Sequence, residues 1–254
     1  MVEVSATIQQ IHDRLYHMAK TIIAILENHK IPYSIAYGTL LGAVRHKGFI
    51  PWDEDFDMWL FEDSYDEAMK VLREELPEDM FLENEESEPK YFHAWAHVKD
   101  LKSEVSHKRF IQDGCYMHHG LYIDLYKLWK VKEREVRKFL NNENRRYILR
   151  RKEVGLIDEE EYKKRMSILE EDEEKERINK SESDEEVYAL LNVYKCKIMY
   201  AKYVFPLKKY RFEDSYFFGI NQAERFLTDL YGDYMTPTPP GERKRGLDSV
   251  KIFE

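Results

Sequence analysis

The sequence predicts an α+β fold, a mixed β-sheet flanked by helices with a charged helical insertion, and three features predict it. Residues up to about 132 alternate helical periodicity with short aromatic and β-branched runs. From Glu133 to about Lys202 the chain turns highly charged and helical in pattern, with no glycine or proline between Glu159 and Glu186. Aromatic, strand-like character then returns at Tyr210 to Phe218. Three segments result: a core over 1–132, a charged helical segment over 133–205, and a strand, helix and tail over 206–254 that complete the core domain.

Apolar residues at Ile8, Ile11, Leu15, Met18, Ile22 and Leu26 follow helical spacing, and Pro32 lies just beyond, where a helix has stopped. Tyr33 to Tyr37 reads as a short strand ending at Gly38, and Leu40 to Arg45 as the start of a short helix. Gly48 and Pro51 mark a loop before the apolar run Phe56 to Phe61, read as a buried strand. Ser64 with Glu67 predicts a capping box for a helix reaching about Leu76, where Pro77 ends it. Further strands are predicted at Phe92 to Val98 and Gly120 to Leu128, a short helix near Gln222 to Leu230, and a Pro- and Gly-rich tail from Pro237.

The 254 residues are enough for a sizeable core, and 43% hydrophobic with 14% aromatic residues is the composition of a packed globular chain. A formal charge of -9 repels a phosphate backbone, so extended nucleic-acid binding is not expected. Cys115 and Cys196 have neither metal-site nor disulfide-framework spacing, which fits a reducing cytoplasm. No secretory signal pattern and no run of ~18 to 20 apolar residues occurs, so a membrane-linked partner is expected to be met from the cytoplasmic side.

Chemistry concentrates between Gly38 and Asp57. Gly38 and Thr39 at a strand-to-helix turn let backbone approach a phosphate, with free amides and a hydroxyl to donate, although alone they are equally a turn residue and a helix cap. On a strand, Asp55 and Asp57 project together, roughly 7 Å apart at Cα given a rise of ~3.3 Å per residue. Such a pair suits a hard cation shared with substrate phosphate oxygens. Asp53 shares their parity but lies in the loop, as a third ligand or as an acid behind the other two. Asp124, an acid among Leu121, Ile123 and Leu125, is taken as a third carboxylate able to bind metal or accept a proton; the other reading is an edge aspartate facing water. Arg45, with His46 and Lys47 beside it, and Lys99 are the candidate phosphate cations. His93, His97, His107, His118 and His119 show no metalloprotease spacing and are read as core or surface residues, and Cys115 as no nucleophile.

The run from Gly38 to Asp57 resembles the LicD family signature: Gly-Thr-Leu-Leu-Gly-Ala-Val-Arg, then Gly-Phe-Ile-Pro-Trp-Asp, then Asp-x-Asp. Gly120 to Asp124 is similar to that family's second acidic strand, and Leu230 to Pro237 with Pro239 adds a third likeness near the end. The family includes bacterial choline-phosphate transferases and the fukutin-type proteins of animals. The resemblance implies a nucleotidyltransferase-like mixed sheet and a divalent metal, Mg²⁺ or Mn²⁺. It implies transfer of phosphocholine, ribitol phosphate or glycerol phosphate from a CDP-alcohol to a sugar hydroxyl of a cell-surface glycan, with release of CMP. Asp55 and Asp57 correspond to its metal-binding acids and Asp124 to the third. After Asp124 the chain departs from the pattern, reading Leu-Tyr-Lys-Leu-Trp-Lys where many relatives have Ile-Phe-Pro. Neither donor nor acceptor is selected by these residues. Two other readings stay open: transfer of a nucleotidyl group from an NTP, and a catalytically silent binding protein.

Overall fold

Helix α1 (Ile8–Asn28) opens with a reciprocal capping box. Thr7 Oγ1 accepts the Gln10 amide at 3.3 Å, and the Gln10 side chain accepts the Thr7 amide at 2.9 Å. It buries Ile11, Leu15, Met18, Ile22 and Leu26, the face its spacing predicts. The computed structural model describes residues 5–106, 116–176, 183–192, 195–243 and 246–253; Cys115 and His107 lie outside them.

Strand β1 (Tyr33–Ile35), helix α2 (Tyr37–Arg45), strand β2 (Asp57–Phe61) and helix α3 (Glu62–Glu75) come next in the chain. Strands β3 (Met80–Glu83), β4 (Ala96–Asp100), β5 (Ser103–Ser106) and β6 (Tyr122–Lys132) complete the first half. The main sheet runs β1-β2-β6-β4-β3, with β2 parallel to β6 and the other neighbours antiparallel. Every residue of β2 is buried, which accounts for its continuous apolar run after Asp57. The structure is therefore the α+β mixture expected.

Several boundaries differ from expectation for physical reasons. Gly38 lies inside the first turn of α2, not between strand and helix. Helix α3 starts straight from β2 at Glu62, so Ser64 and Glu67 form no capping box; the Ser64 hydroxyl instead donates to the Phe61 carbonyl at 3.3 Å. The strand expected at Phe92 to Val98 begins only at Ala96, because Tyr91 and Phe92 bury themselves with Tyr116 in a satellite cluster. Tyr210 to Phe218 is not one run but a hairpin, β9 (Lys208–Phe212) and β10 (Ser215–Gly219), turned at Glu213 with φ 53°.

The charged segment holds the largest difference. It is helical through α4 (Val136–Glu153) and α5 (Glu159–Glu176), then forms the hairpin of β7 (Glu186–Asn192) and β8 (Lys195–Tyr200). Strand β6 is eleven residues long, and its second half pairs with β7, burying Val187, Tyr188 and Ala189. The apolar run that carries that strand, Val187 to Leu191, is short and directly follows an acidic stretch, too weak a signal to outweigh the charge pattern. Short helix α6 (Ala201–Val204) precedes β9; helix α7 (Ala223–Tyr231) packs on α2, and β11 (Ser249–Ile252) pairs with β5.

Helix α2 fits closely against the loop that leads from it to β2. A Cβ on Gly42 would lie 2.5 Å from the Gly48 carbonyl oxygen and 3.3 Å from the Ile50 amide, both backbone atoms that cannot swing away. Gly42→Ala is expected to cost about 1–3 kcal/mol by overpacking. Urea denaturation should show the midpoint falling, and an unchanged midpoint would contradict this packing.

Candidate active site

The sheet register draws four ionisable side chains into one line. Asp57 lies opposite Asp124 across β2 and β6, His97 opposite Asp124 across β4 and β6, and Glu83 opposite His97 across β3 and β4. Directly opposite residues share a face of the sheet, so all four point the same way. Asp124 Oδ1 accepts from Trp95 Nε1 at 2.6 Å and lies 3.0 Å from His97 Nε2. The other ring nitrogen, Nδ1, lies 3.2 Å from Glu83 Oε2. Burial disfavours a charged imidazole here, but hydrogen bonds to Asp124 and Glu83 outweigh it and raise the His97 pKa. As an imidazolium His97 donates to both carboxylates. Lys99 stands behind this line, 3.6 Å from Glu83 Oε2 and 4.3 Å from the centre of the Tyr122 ring.

Asp55 and Asp53 reach the same place from a loop. The strand begins only at Asp57, so alternation along a strand does not bring Asp55 beside it; anchoring of the loop does. The Asp53 amide donates to the Ile50 carbonyl at 2.9 Å, and His12 Nε2 contacts the Asp53 carbonyl at 2.7 Å. The His12 ring stacks on Phe49 at 4.3 Å, and Phe49 packs at 4.8 Å on Phe212 of the hairpin. Asp57 is fixed through its backbone: its amide donates to Thr39 Oγ1 at 2.8 Å, and its carbonyl accepts from Ala36 at 3.0 Å.

Two carboxyl pairs result, Asp53 with Asp55 and Asp57 with Asp124, each within hydrogen-bonding reach. Asp57 is buried, whereas Asp55 is open to solvent on one side. Desolvation by the surrounding protein raises both carboxyls well above the usual carboxylate range, and repulsion from neighbouring aspartates adds to it. Like-charged oxygens so close need either a shared proton or a cation.

Gly38 leaves room for this cluster, since a Cβ there would lie 2.9 Å from Asp53 Oδ2. The C-terminal tail closes the opposite side. Arg45 Nη1 donates to the Tyr234 carbonyl at 2.5 Å, Arg243 lies 3.7 Å from the centre of the Trp52 ring, and Glu54 Oε2 accepts the Gly246 and Leu247 amides at 3.0 Å. Tyr231, at the end of α7, has its hydroxyl pKa raised by burial and then by Asp57, Asp53 and Asp55. Behind the acids stand Tyr37, Trp59 and Tyr126, with Tyr37 5.3 Å from each of the other two ring centres.

Residues 30–155, which carry Gly38, the aspartate cluster and all of α4, match the family described as LicD/FKTN/FKRP, nucleotidyltransferase domain. The chain carries a LicD-family domain. It is 27% identical over 236 residues to the lipopolysaccharide cholinephosphotransferase LicD of Haemophilus influenzae, covering 87% of this chain and 88% of that protein. Shorter likenesses, 40% identical over 58 residues, join it to uncharacterized proteins of Rickettsia prowazekii and Rickettsia typhi. They cover 23% of this chain and 22% and 19% of those proteins, respectively.

Within the LicD domain the structure brings together Asp53, Asp55, Asp57, Asp124 and Gly38. It turns Thr39 toward the Asp57 backbone and Arg45 toward the tail, where Arg45 remains in the field of Asp53. It buries Lys99 at 3% exposure beside Glu83. Of the histidines, His97 adjoins Asp124, His119 contacts the Tyr116 carbonyl at 2.9 Å, and His118 packs on Phe81. Trp95 and Glu83 do not stand out in the sequence; strand pairing through His97 connects Glu83 to Asp124, and an indole hydrogen bond from the bend before β4 connects Trp95 to it. Among the described residues no three or more His, Cys, Asp or Glu side chains form a ready-made metal site. The two carboxyl pairs nevertheless suit Mg²⁺, which takes one or two carboxylates together with substrate phosphate rather than an all-protein cage.

The raised carboxyls set a sign for stability. The native LicD domain keeps protons on Asp55 and Asp57 at pH values where the unfolded chain has released them, so their contribution is full below about pH 4 and is lost as pH rises through the raised pKa. Asp57→Asn removes that loss. In EDTA at pH 7 its melting temperature is expected to exceed the wild type's, at about 2–4 °C per kcal/mol recovered, and the difference should shrink toward pH 4. A variant less stable than wild type at pH 7 would count against the repulsion.

Proposed function

We propose that this chain transfers a phospho-alcohol group, phosphocholine, ribitol phosphate or glycerol phosphate, from a CDP-alcohol to a sugar hydroxyl of a cell-surface glycan or its precursor, releasing CMP. The observation that carries the reading is the pair of carboxyl pairs at the start of β2 and β6, in a chain resembling a named lipopolysaccharide cholinephosphotransferase over most of its length. Asp55, Asp57 and Asp124 hold Mg²⁺ or Mn²⁺ in this reading, with Asp53 behind them. When bound, such a metal neutralises diphosphate charge and polarises phosphoryl oxygen.

The chain's own residues supply the rest. Gly38 keeps the first turn of α2 open, so its backbone amides approach a phosphate without a side chain between. Arg45, pinned by the Tyr234 carbonyl, faces the charge that develops on the departing CMP. Trp95 and His97 both engage Oδ1 of Asp124, which orients the carboxylate to accept the proton of the attacking hydroxyl. Glu83 fixes the His97 ring, and Lys99 offsets the charge of Glu83, a role away from the phosphate. Catalysis is then chiefly positioning and electrostatics. Among the described residues no helix is long and apolar enough to cross a membrane, and we place the enzyme at the cytoplasmic face, where a membrane-linked acceptor is within reach.

CDP-choline, CDP-ribitol and CDP-glycerol, each incubated with Mg²⁺ and a saccharide acceptor, test the reading by chromatography of the nucleotide product. CMP is expected from at least one donor, lost in EDTA and reduced by about 10²-fold or more in Asp55→Ala and Asp57→Ala. Pyrophosphate released from an NTP would put nucleotidyl transfer in its place. No turnover, with no thermal stabilisation by Mg²⁺ and cytidine nucleotides, would leave a binding protein.

A further inference from the structure

A cavity of about 630 Å³ opens between α3, the loop before β4, the second half of β6 and α4. Its volume lies within the roughly 300–1,000 Å³ of small-molecule sites. We infer that this cavity is a saccharide subsite that holds part of the acceptor against Trp95, the residue that donates to Asp124. The inference rests on the transferase reading above for the role of Asp124, but binding in the cavity does not.

Position is the first argument. The Trp95 ring forms part of the cavity wall while its Nε1 donates to Asp124 Oδ1 at 2.6 Å. A ligand lying against Trp95 is therefore one side chain away from the acid given the proton-accepting role. Diphosphate contacts belong elsewhere, since Gly38, Arg45 and the tail do not line this space.

The lining is the second argument. Aromatic rings of Tyr65, Trp95, Trp129 and Tyr147 share the wall with five basic and five acidic side chains. Several of these charges already answer one another: Glu143 lies 3.6 Å from Arg146 and Glu153 3.6 Å from Arg150, while Lys127 rests 4.0 Å from the centre of the Trp129 ring. A polyphosphate would call for an excess of cations, and an acyl chain for walls free of charge. A sugar ring has apolar C–H patches that lie on aromatic surfaces, and hydroxyls that both donate and accept, so it uses mixed walls with no net charge. Helix α4 supplies Glu143, Arg146, Tyr147 and Arg150, which gives the charged segment a task in acceptor recognition.

Saturation-transfer NMR of the full chain with methyl β-galactopyranoside and methyl N-acetyl-β-glucosaminide tests this without turnover. At least one glycoside is expected to bind the wild type, to weaken fivefold or more in Trp129→Ala and in Arg146→Ala, and to bind Asp55→Asn as it binds the wild type. Arg146 is exposed, so its variant keeps the fold if Trp129→Ala does not. Binding of neither glycoside to the wild type, binding unaffected by both cavity substitutions, or displacement by CDP-choline would overturn the assignment. A chain that binds glycoside here yet never releases CMP keeps the cavity and loses the transferase; CMP release without glycoside binding does the reverse.

Discussion

Asp57, Asp124, His97 and Glu83 meet because β2, β6, β4 and β3 pair in one particular register, and the rest of the site depends on that alignment. A slip of one residue at any of the three pairings would send a member of the line to the opposite face. The register is secured by the apolar residues between the charges. Met58, Leu60, Ile123, Leu125 and Val98 are fully buried, so a slip would also expose core. The hydrophobic pattern thus holds the charges in place, although the charges resist being held.

That resistance has a gradient. At the Glu83 end, acid is matched by base, since His97 and Lys99 both face it. At the Asp57 end, acid meets acid, with Asp53, Asp55 and Asp124 around it. One row therefore passes from a compensated end to an uncompensated acidic end, with Asp124 at the changeover. Folding tolerates the uncompensated end only because large aromatic and aliphatic contacts surround it, among them Phe49, Phe56, Phe212 and Phe217.

Much of this is legible in the sequence, and unequally so. The α1 face is readable because one helical period carries its own signal. Asp55, Asp57 and Asp124 stand out because acids next to apolar strand residues are costly unless they have a use. Glu83, Trp95 and His97 are not readable, because what matters about them is which distant residue the fold brings against them; Trp95 is 29 positions from Asp124 and His97 14 from Glu83. Strand alternation puts Asp55 beside Asp57 for a reason that does not apply, since loop anchoring brings it there. The hairpin of β7 and β8 is hidden for a different reason: its short apolar run comes after a long acidic helix, so local composition masks a long-range pairing.

The tail contacts carry a further meaning for how the protein is made. Glu54 and Leu247 are 193 residues apart in the chain, and Arg45 and Tyr234 are 189 apart. On the ribosome, the aspartate loop emerges well before the residues that brace it have been synthesised. Bracing of the acidic loop thus waits on partners made much later, and a nascent chain exposes its acids long before the tail packs against them.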